Sequence, residues 1–234
     1  MKPVFAPLAP VLVPVDTGEG FPVHHIYCIG RNYAAHAREM GSDPDRDPPF
    51  FFTKWAEAAV PPEPSQMGTT IAYPPQTQNY HYEAELVVAI GTGGRNIAPE
   101  NAAAHIFGYA CGLDMTRRDL QNAAKDKGRP WDTGKNVEQS APIGLIHASN
   151  ALMTAGAITL NKNGELKQSG DLSDMIWPVA DVIAYISRFY RLEPGDLIYT
   201  GTPEGVGPVV PGDQLSVCIA GLSDLVISIG PSAE

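Results

Sequence analysis

The apolar positions fall into short runs rather than long periodic stretches. His25–Ile29 (HIYCI), Leu86–Ile90 (LVVAI) and Tyr109–Leu113 are near-continuous apolar segments. Runs of that length, bounded by turn formers or polar residues, predict strands buried on both faces. Phe50–Thr53 predicts another short strand. Asn163-Gly164 lies inside Ile158–Gln168 and predicts a hairpin, because both residues tolerate the positive φ of a type I′ turn. Pro194-Gly195-Asp196 and Pro211-Gly212-Asp213 are turn chemistry placed before the strands Leu197–Thr200 and Gln214–Ile219. Leu225–Ile229 predicts a closing strand.

One segment carries a clear helical period. Val179, Val182, Ile183, Ile186, Phe189 and Tyr190 follow i, i+3, i+4, i+7 spacing and predict a helix over Pro178–Arg191. Shorter helices are expected from Asn32, as N-cap, through Met40 with Gly41 as the stop, from Pro99 to near Phe107, and over Thr116–Lys125. Pro61 to Tyr80 reads as irregular chain. Residues 1–24 read as a short N-terminal extension, with Pro7, Pro10, Pro14 and Pro22 breaking any regular element. Residues 25–234 then form the main domain. The expected fold class is mixed α+β, mainly β, with helices packed around a rolled or barrel-like sheet.

Composition narrows the function. Gly and Pro, at 23 and 22 of 234 residues, are too frequent for a helical bundle. A formal net charge of −10 disfavours nucleic acid, whose binding runs on clustered cations. No apolar stretch approaches the ~20 residues of a membrane span, and the Pro-rich start does not read as a signal peptide. Cys28, Cys111 and Cys218 all lie in apolar runs, which predicts buried, reduced thiols and a cytoplasmic location. A catalytic cysteine is the sharper alternative.

Three constellations could carry chemistry. Glu83-Ala84-Glu85 runs into the apolar strand, so both carboxylates point to one face. Buried together they repel, and a divalent cation would relieve that; an exposed strand end with solvated acids is the plain alternative. Asp114 follows another apolar strand and could join them, or simply cap a helix. Three carboxylates select a hard ion, Mg²⁺ or Mn²⁺ with Ca²⁺ also possible, rather than Zn²⁺. Arg118 and Gln121, at i, i+3, and Lys135 could offset surplus charge and hold an acidic ligand. In the second constellation, His36 and Glu39 at i, i+3 could form a general base, or an ordinary surface pair. The third, Tyr199 to Gly207, is a Gly- and Thr-rich loop able to approach a carboxylate, though many such loops only turn.

Taken together these segments resemble the fumarylacetoacetate hydrolase family, in its small single-domain acylpyruvate hydrolase branch. The resemblance rests on Gly30-Arg31-Asn32-Tyr33 with His36 and Glu39, on Glu83-Ala84-Glu85, and on Leu113-Asp114-Met115-Thr116 through Arg118-Asp119-Leu120-Gln121. Lys135 and Thr200-Gly201-Thr202-Pro203 with Gly205 and Gly207 complete it. It implies a β-roll, a homodimer, and Mg²⁺ or Mn²⁺ on Glu83, Glu85 and Asp114. It further implies His36, Glu39 and Lys135 as catalytic residues, and Arg31, Arg118, Gln121 and Thr202 as contacts to a 2-oxo acid. The implied reaction is hydrolysis of a 2,4-diketo acid, with fumarylpyruvate of gentisate breakdown favoured. Oxaloacetate decarboxylation or tautomerisation, isomerisation of a dienoate diacid, and a non-catalytic acid-binding module are the alternatives. Trp55 stands where the resemblance leads one to expect Pro, and is expected to reshape the loop near the site or wall the acyl group.

Overall fold

The structure is a computed structural model that describes residues 1–39, 49–62 and 68–232. Its centre is a six-stranded sheet in the order His147–Ala148, Ile106–Leu113, Ala84–Ile90, Leu197–Tyr199, Ile26–Gly30, Phe50–Lys54. All its pairings are antiparallel except that of Leu197–Tyr199 with Ile26–Gly30, which is parallel. A five-stranded sheet runs Glu165–Asp171, Ala157–Lys162, Gln214–Ile219, Leu225–Ser232, Thr69–Tyr73. The fold is mixed α+β and mainly β, as the pattern predicts.

The continuous apolar run in Ala84–Ile90 has a packing cause. Leu86, Val88 and Ile90 enter a core shared with the five-stranded sheet and with Val179, Val182, Ile183 and Ile186 of the helix Val179–Phe189. Val87 and Ala89 enter a second core on the opposite face. All seven residues of the strand are buried. The predicted hairpin is also present, with Asn163 at φ 55° and Gly164 at φ 81°.

Several expectations fail for tertiary reasons. Residues 1–11 have no strand or helix, but Leu12–Pro14 pairs with Gly20–Pro22, and Val13, Val15, Phe21 and Val23 help build the second core. Pro14 and Pro22 are tolerated because a two-stranded ribbon has free edges for a residue without an N–H. Thr69–Tyr73 is a strand, although Pro61–Tyr80 read as irregular; its parallel partner Leu225–Ser232 is remote in sequence. Thr116–Arg117 is a strand, and its helix is Arg118–Asp126. The short helix near the N-terminus spans Ala34–Glu39, while Met40 and its expected stop at Gly41 lie outside the described residues. Cys218 is exposed, whereas Cys28 and Cys111 are buried. No helix among the described residues is long and apolar enough to cross a membrane.

Candidate metal centre and active site

Strand register assembles the acidic cluster. Ala84 pairs with Leu113, which sets Asp114 beside Glu83, and the Asp114 N–H donates to the Glu83 carbonyl at 2.9 Å. Glu83, Glu85 and Asp114 are all buried, and each offers a donor atom within 4.8 Å of the others. Asp114 therefore sits in the cluster rather than capping a helix.

Three cations surround these acids. Lys135 Nζ donates to Glu83 Oε2 at 2.8 Å, Asp114 Oδ2 at 2.7 Å and Thr116 Oγ1 at 2.7 Å. Arg118 pairs with Glu83 Oε1 and donates to Gln121 Oε1. Lys54 Nζ lies 2.9 Å from Asp114 Oδ1 and donates to Met115 O and Ser140 Oγ at 3.1 and 2.8 Å. Burial alone would raise the Glu83 pKa, but Lys135 and Arg118 override it and hold the carboxyl below the usual range. Glu85 goes the other way. Burial, then Asp114 and Glu83, push its carboxyl well above the usual range, against a hydrogen bond from Gly201 N at 2.7 Å.

The donor set fits a hard divalent ion. It offers three carboxylates and no sulfur. Asp114 Oδ1, although near Lys54, accepts no hydrogen bond in good geometry from any described residue. Glu85 lacks a cation of its own among the ion pairs of the described residues. A cation between these oxygens would satisfy both.

His36 and Glu39 meet as their spacing predicts, with His36 Nδ1 3.0 Å from Glu39 Oε2. The imidazole is buried while Glu39 keeps an exposed edge. His36 lines one cavity together with the three acids, Arg31, Arg118, Gln121, Lys135 and Thr202. Glu39 stands behind His36 and does not line it.

Other residues hold this arrangement, and sequence reasoning missed them. Gln168 is buried; its Oε1 accepts from Ala84 N at 3.0 Å, and its Nε2 donates to Thr202 Oγ1 and Pro203 O, both at 2.8 Å. It ties the Thr202 loop to the strand that carries Glu85. Asn32, expected as an N-cap, instead donates to Thr200 O at 2.8 Å and accepts from Trp177 N at 2.7 Å. Gly201 has φ +97°, and a Cβ there would meet Asn32 Cβ at 2.7 Å, so this loop needs glycine. Trp55 is more than half exposed and absent from the cavity lining; Trp131 lines it instead, packed edge-on against Phe50. Lys54 is buried beneath Asp114 and does not line the cavity. No local signal marks Gln168 or Trp131, because each acts across sequence separations of more than thirty residues. A catalytic cysteine is not supported: none of the three lines the cavity, burial pushes the Cys28 and Cys111 thiols up, and a hydrogen bond with Asp224 raises that of Cys218.

Comparison with known proteins agrees with this geometry. The chain is 48% identical over 184 residues to the fumarylpyruvate hydrolase of Ralstonia sp, covering 78% of this chain and 93% of that protein. It is 37% identical over 208 residues to an oxaloacetate tautomerase of Escherichia coli, covering 87% and 91%. The crystal structure of fumarylpyruvate hydrolase from Pseudomonas aeruginosa, in complex with Mn²⁺ and pyruvate, superposes with a TM-score of 0.96 at 50% identity, over 99% of this chain and 100% of that one. The model of the fumarylacetoacetate (FAA) hydrolase C-terminal domain matches residues 25–229, and with these relatives it establishes that the chain belongs to the fumarylacetoacetate hydrolase family.

Proposed function

We propose that this protein is a metal-dependent hydrolase that cleaves the C–C bond of a 2,4-diketo acid, converting fumarylpyruvate and water to fumarate and pyruvate. The observation that carries this reading is the buried His36, held by Glu39 from behind, opening onto the same cavity as the acidic cluster. Glu83, Glu85 and Asp114 would hold Mn²⁺ or Mg²⁺. Bound there, the ion supplies Lewis-acid stabilisation of the negative charge that develops on the 2-oxo acid.

The chain's own groups supply the remaining chemistry. Glu39 fixes the His36 tautomer by accepting from Nδ1, which leaves Nε2 to take a proton from water. The water oxygen attacks the distal carbonyl carbon, and that carbon parts from its neighbour. The bonding pair leaves as the enolate of pyruvate, which regains its proton from His36. Thr202, Arg118 and Gln121 orient the acid, and Lys135 stabilises developing negative charge. With a divalent ion bound and all three carboxylates ionised beside the three cations, the cluster would carry about +2, which suits a dianionic substrate.

A second reading has support from the similarity to the oxaloacetate tautomerase of Escherichia coli. That reaction needs enolate stabilisation but no attacking water. Pyruvate release from fumarylpyruvate, acetylpyruvate and oxaloacetate, measured beside oxaloacetate tautomerisation on the Mn²⁺-loaded enzyme, separates the two. Fastest turnover of fumarylpyruvate supports the hydrolase, and faster turnover of oxaloacetate overturns it. The same reading makes the protein a cytoplasmic homodimer of gentisate breakdown, and light scattering tests the assembly. The exposed rings of Phe189 and Tyr190, beside Phe51, are in keeping with a covered face.

A further inference from the structure

A second group of metal-ligating side chains lies outside this site. His24 and His25 precede the strand Ile26–Gly30, and Asp196 closes the Pro194-Gly195-Asp196 turn before Leu197–Tyr199. His24 Nδ1 is 2.7 Å from Asp196 Oδ1, His25 Nδ1 is 3.0 Å from His24 Nδ1, and His25 Nδ1 is 3.6 Å from Asp196 Oδ1. Asp196 is fully buried, whereas both imidazoles are about half exposed. We propose that His24, His25 and Asp196 form a second metal site, for a borderline first-row transition dication such as Zn²⁺, separate from the acidic centre.

Protons alone satisfy this cluster poorly. An imidazole Nδ1 has one in-plane position, holding either a proton or a lone pair. His24 Nδ1 faces both an acceptor-only carboxylate oxygen and a second Nδ1. A single proton serves one of these contacts and leaves the other unmet. A cation shared by all three atoms serves both. The spacing fits: atoms separated by 2.7, 3.0 and 3.6 Å lie on a circle of about 1.8 Å radius. An ion about 0.9 Å above their plane would stand about 2.0–2.1 Å from each, the ordinary length of zinc bonds to imidazole and carboxylate.

The three donors are held in place before any ion arrives. His24 N donates to Gly195 O at 2.9 Å and Leu197 N donates to His25 O at 2.8 Å, so the two segments are stitched on both sides of the site. Asp196 Oδ2 accepts from Glu193 N at 2.9 Å, which fixes the carboxylate and leaves Oδ1 aimed at the imidazoles. Gly195 has φ +99°, and a Cβ there would meet Pro22 O at 2.5 Å; glycine lets the turn close against His24. Two imidazoles and one carboxylate prefer Zn²⁺, Ni²⁺ or Cu²⁺ over the hard ions suited to the carboxylate cluster. Half-exposed imidazoles leave the remaining positions to water.

The chemistry of the two sites allows them to be told apart. The tag-free enzyme is saturated with Mn²⁺ and titrated with Zn²⁺ by calorimetry, while free Mn²⁺ is followed by electron paramagnetic resonance. The expected result is one Zn²⁺ bound per chain with Mn²⁺ retained, weakened at least tenfold in each of His24→Ala and His25→Ala. Cu²⁺ bound to the Mn²⁺-free enzyme should show hyperfine coupling to two nitrogens, reduced to one in each variant; both changes are at half-exposed side chains. No Zn²⁺ uptake, uptake matched by Mn²⁺ release, or equal Zn²⁺ affinity in wild type and variants would each overturn the site.

Discussion

Replacing Gln168 by leucine keeps the side-chain volume and removes the amide that links Thr202 and Pro203 to Ala84 at the start of the strand carrying Glu85. In the folded protein the amide accepts from Ala84 N and donates to Thr202 Oγ1 and Pro203 O. Thr202 can turn its hydroxyl elsewhere. Ala84 N is buried and gains no other partner from leucine, and Pro203 O loses its amide donor. Each unsatisfied buried group costs about 1–3 kcal/mol, so Gln168→Leu should destabilise by about 2–5 kcal/mol. That is a large share of the roughly 5–15 kcal/mol that separates most folded domains from their unfolded chains. With a urea slope near 3 kcal/mol/M, the unfolding midpoint should fall by about 1 M. Function should change in a particular way. Thr202 is one of the proposed carboxylate contacts, so KM should rise about tenfold, or about 1.4 kcal/mol of binding, with a smaller change in kcat. Urea unfolding followed by fluorescence and steady-state kinetics on the surviving folded enzyme measure both. A midpoint shift below about 0.2 M together with an unchanged KM would refute the assigned role of this amide.

Chelation of the divalent ion should abolish turnover and leave the circular dichroism spectrum unchanged, because two apolar cores hold the chain independently of the acids; Mn²⁺ should restore activity. His36→Ala should slow hydrolysis by roughly 10²–10⁴-fold with metal content unchanged, while oxaloacetate tautomerisation falls less. Equal losses in the two reactions would remove His36 from its role as base. Lys135→Met removes the ammonium that Glu83 and Asp114 share while Arg118 and Lys54 remain beside them, and should destabilise the metal-free protein by about 1–3 kcal/mol. The loss should be smaller with Mn²⁺ bound, as read from melting temperatures with and without the ion. Fumarylpyruvate should exceed acetylpyruvate in kcat/KM by at least tenfold, about 1.4 kcal/mol. Arg31 lines the cavity with its guanidinium 5.4 Å from the Phe50 ring centre, and Arg31→Ala should erase most of that preference.

Local chemistry made much of this site legible. Glu83 and Glu85 share a face because side chains alternate along a strand, and His36 meets Glu39 because helical neighbours three apart touch. The Asn163-Gly164 hairpin and the Val179–Phe189 helix follow from equally short-range rules. Other features depend on partners that no local window contains. Asp114 joins Glu83 through the pairing of Ala84 with Leu113, and a slip of one residue would have turned it away. Leu12–Pro22 looked like an appendage, yet the central sheet has an apolar second face that this ribbon covers. Lys54 and Trp55 are adjacent in sequence, but the pleat buries the first under Asp114 and leaves the second in solvent. Gln168 and Asn32 look like ordinary polar residues until folding closes off water and makes each backbone group nearby require a partner. Sequence thus determined which chemical groups each short segment could present together. Tertiary structure decided which segments meet, because strand register and burial are settled by contacts between residues far apart in the chain.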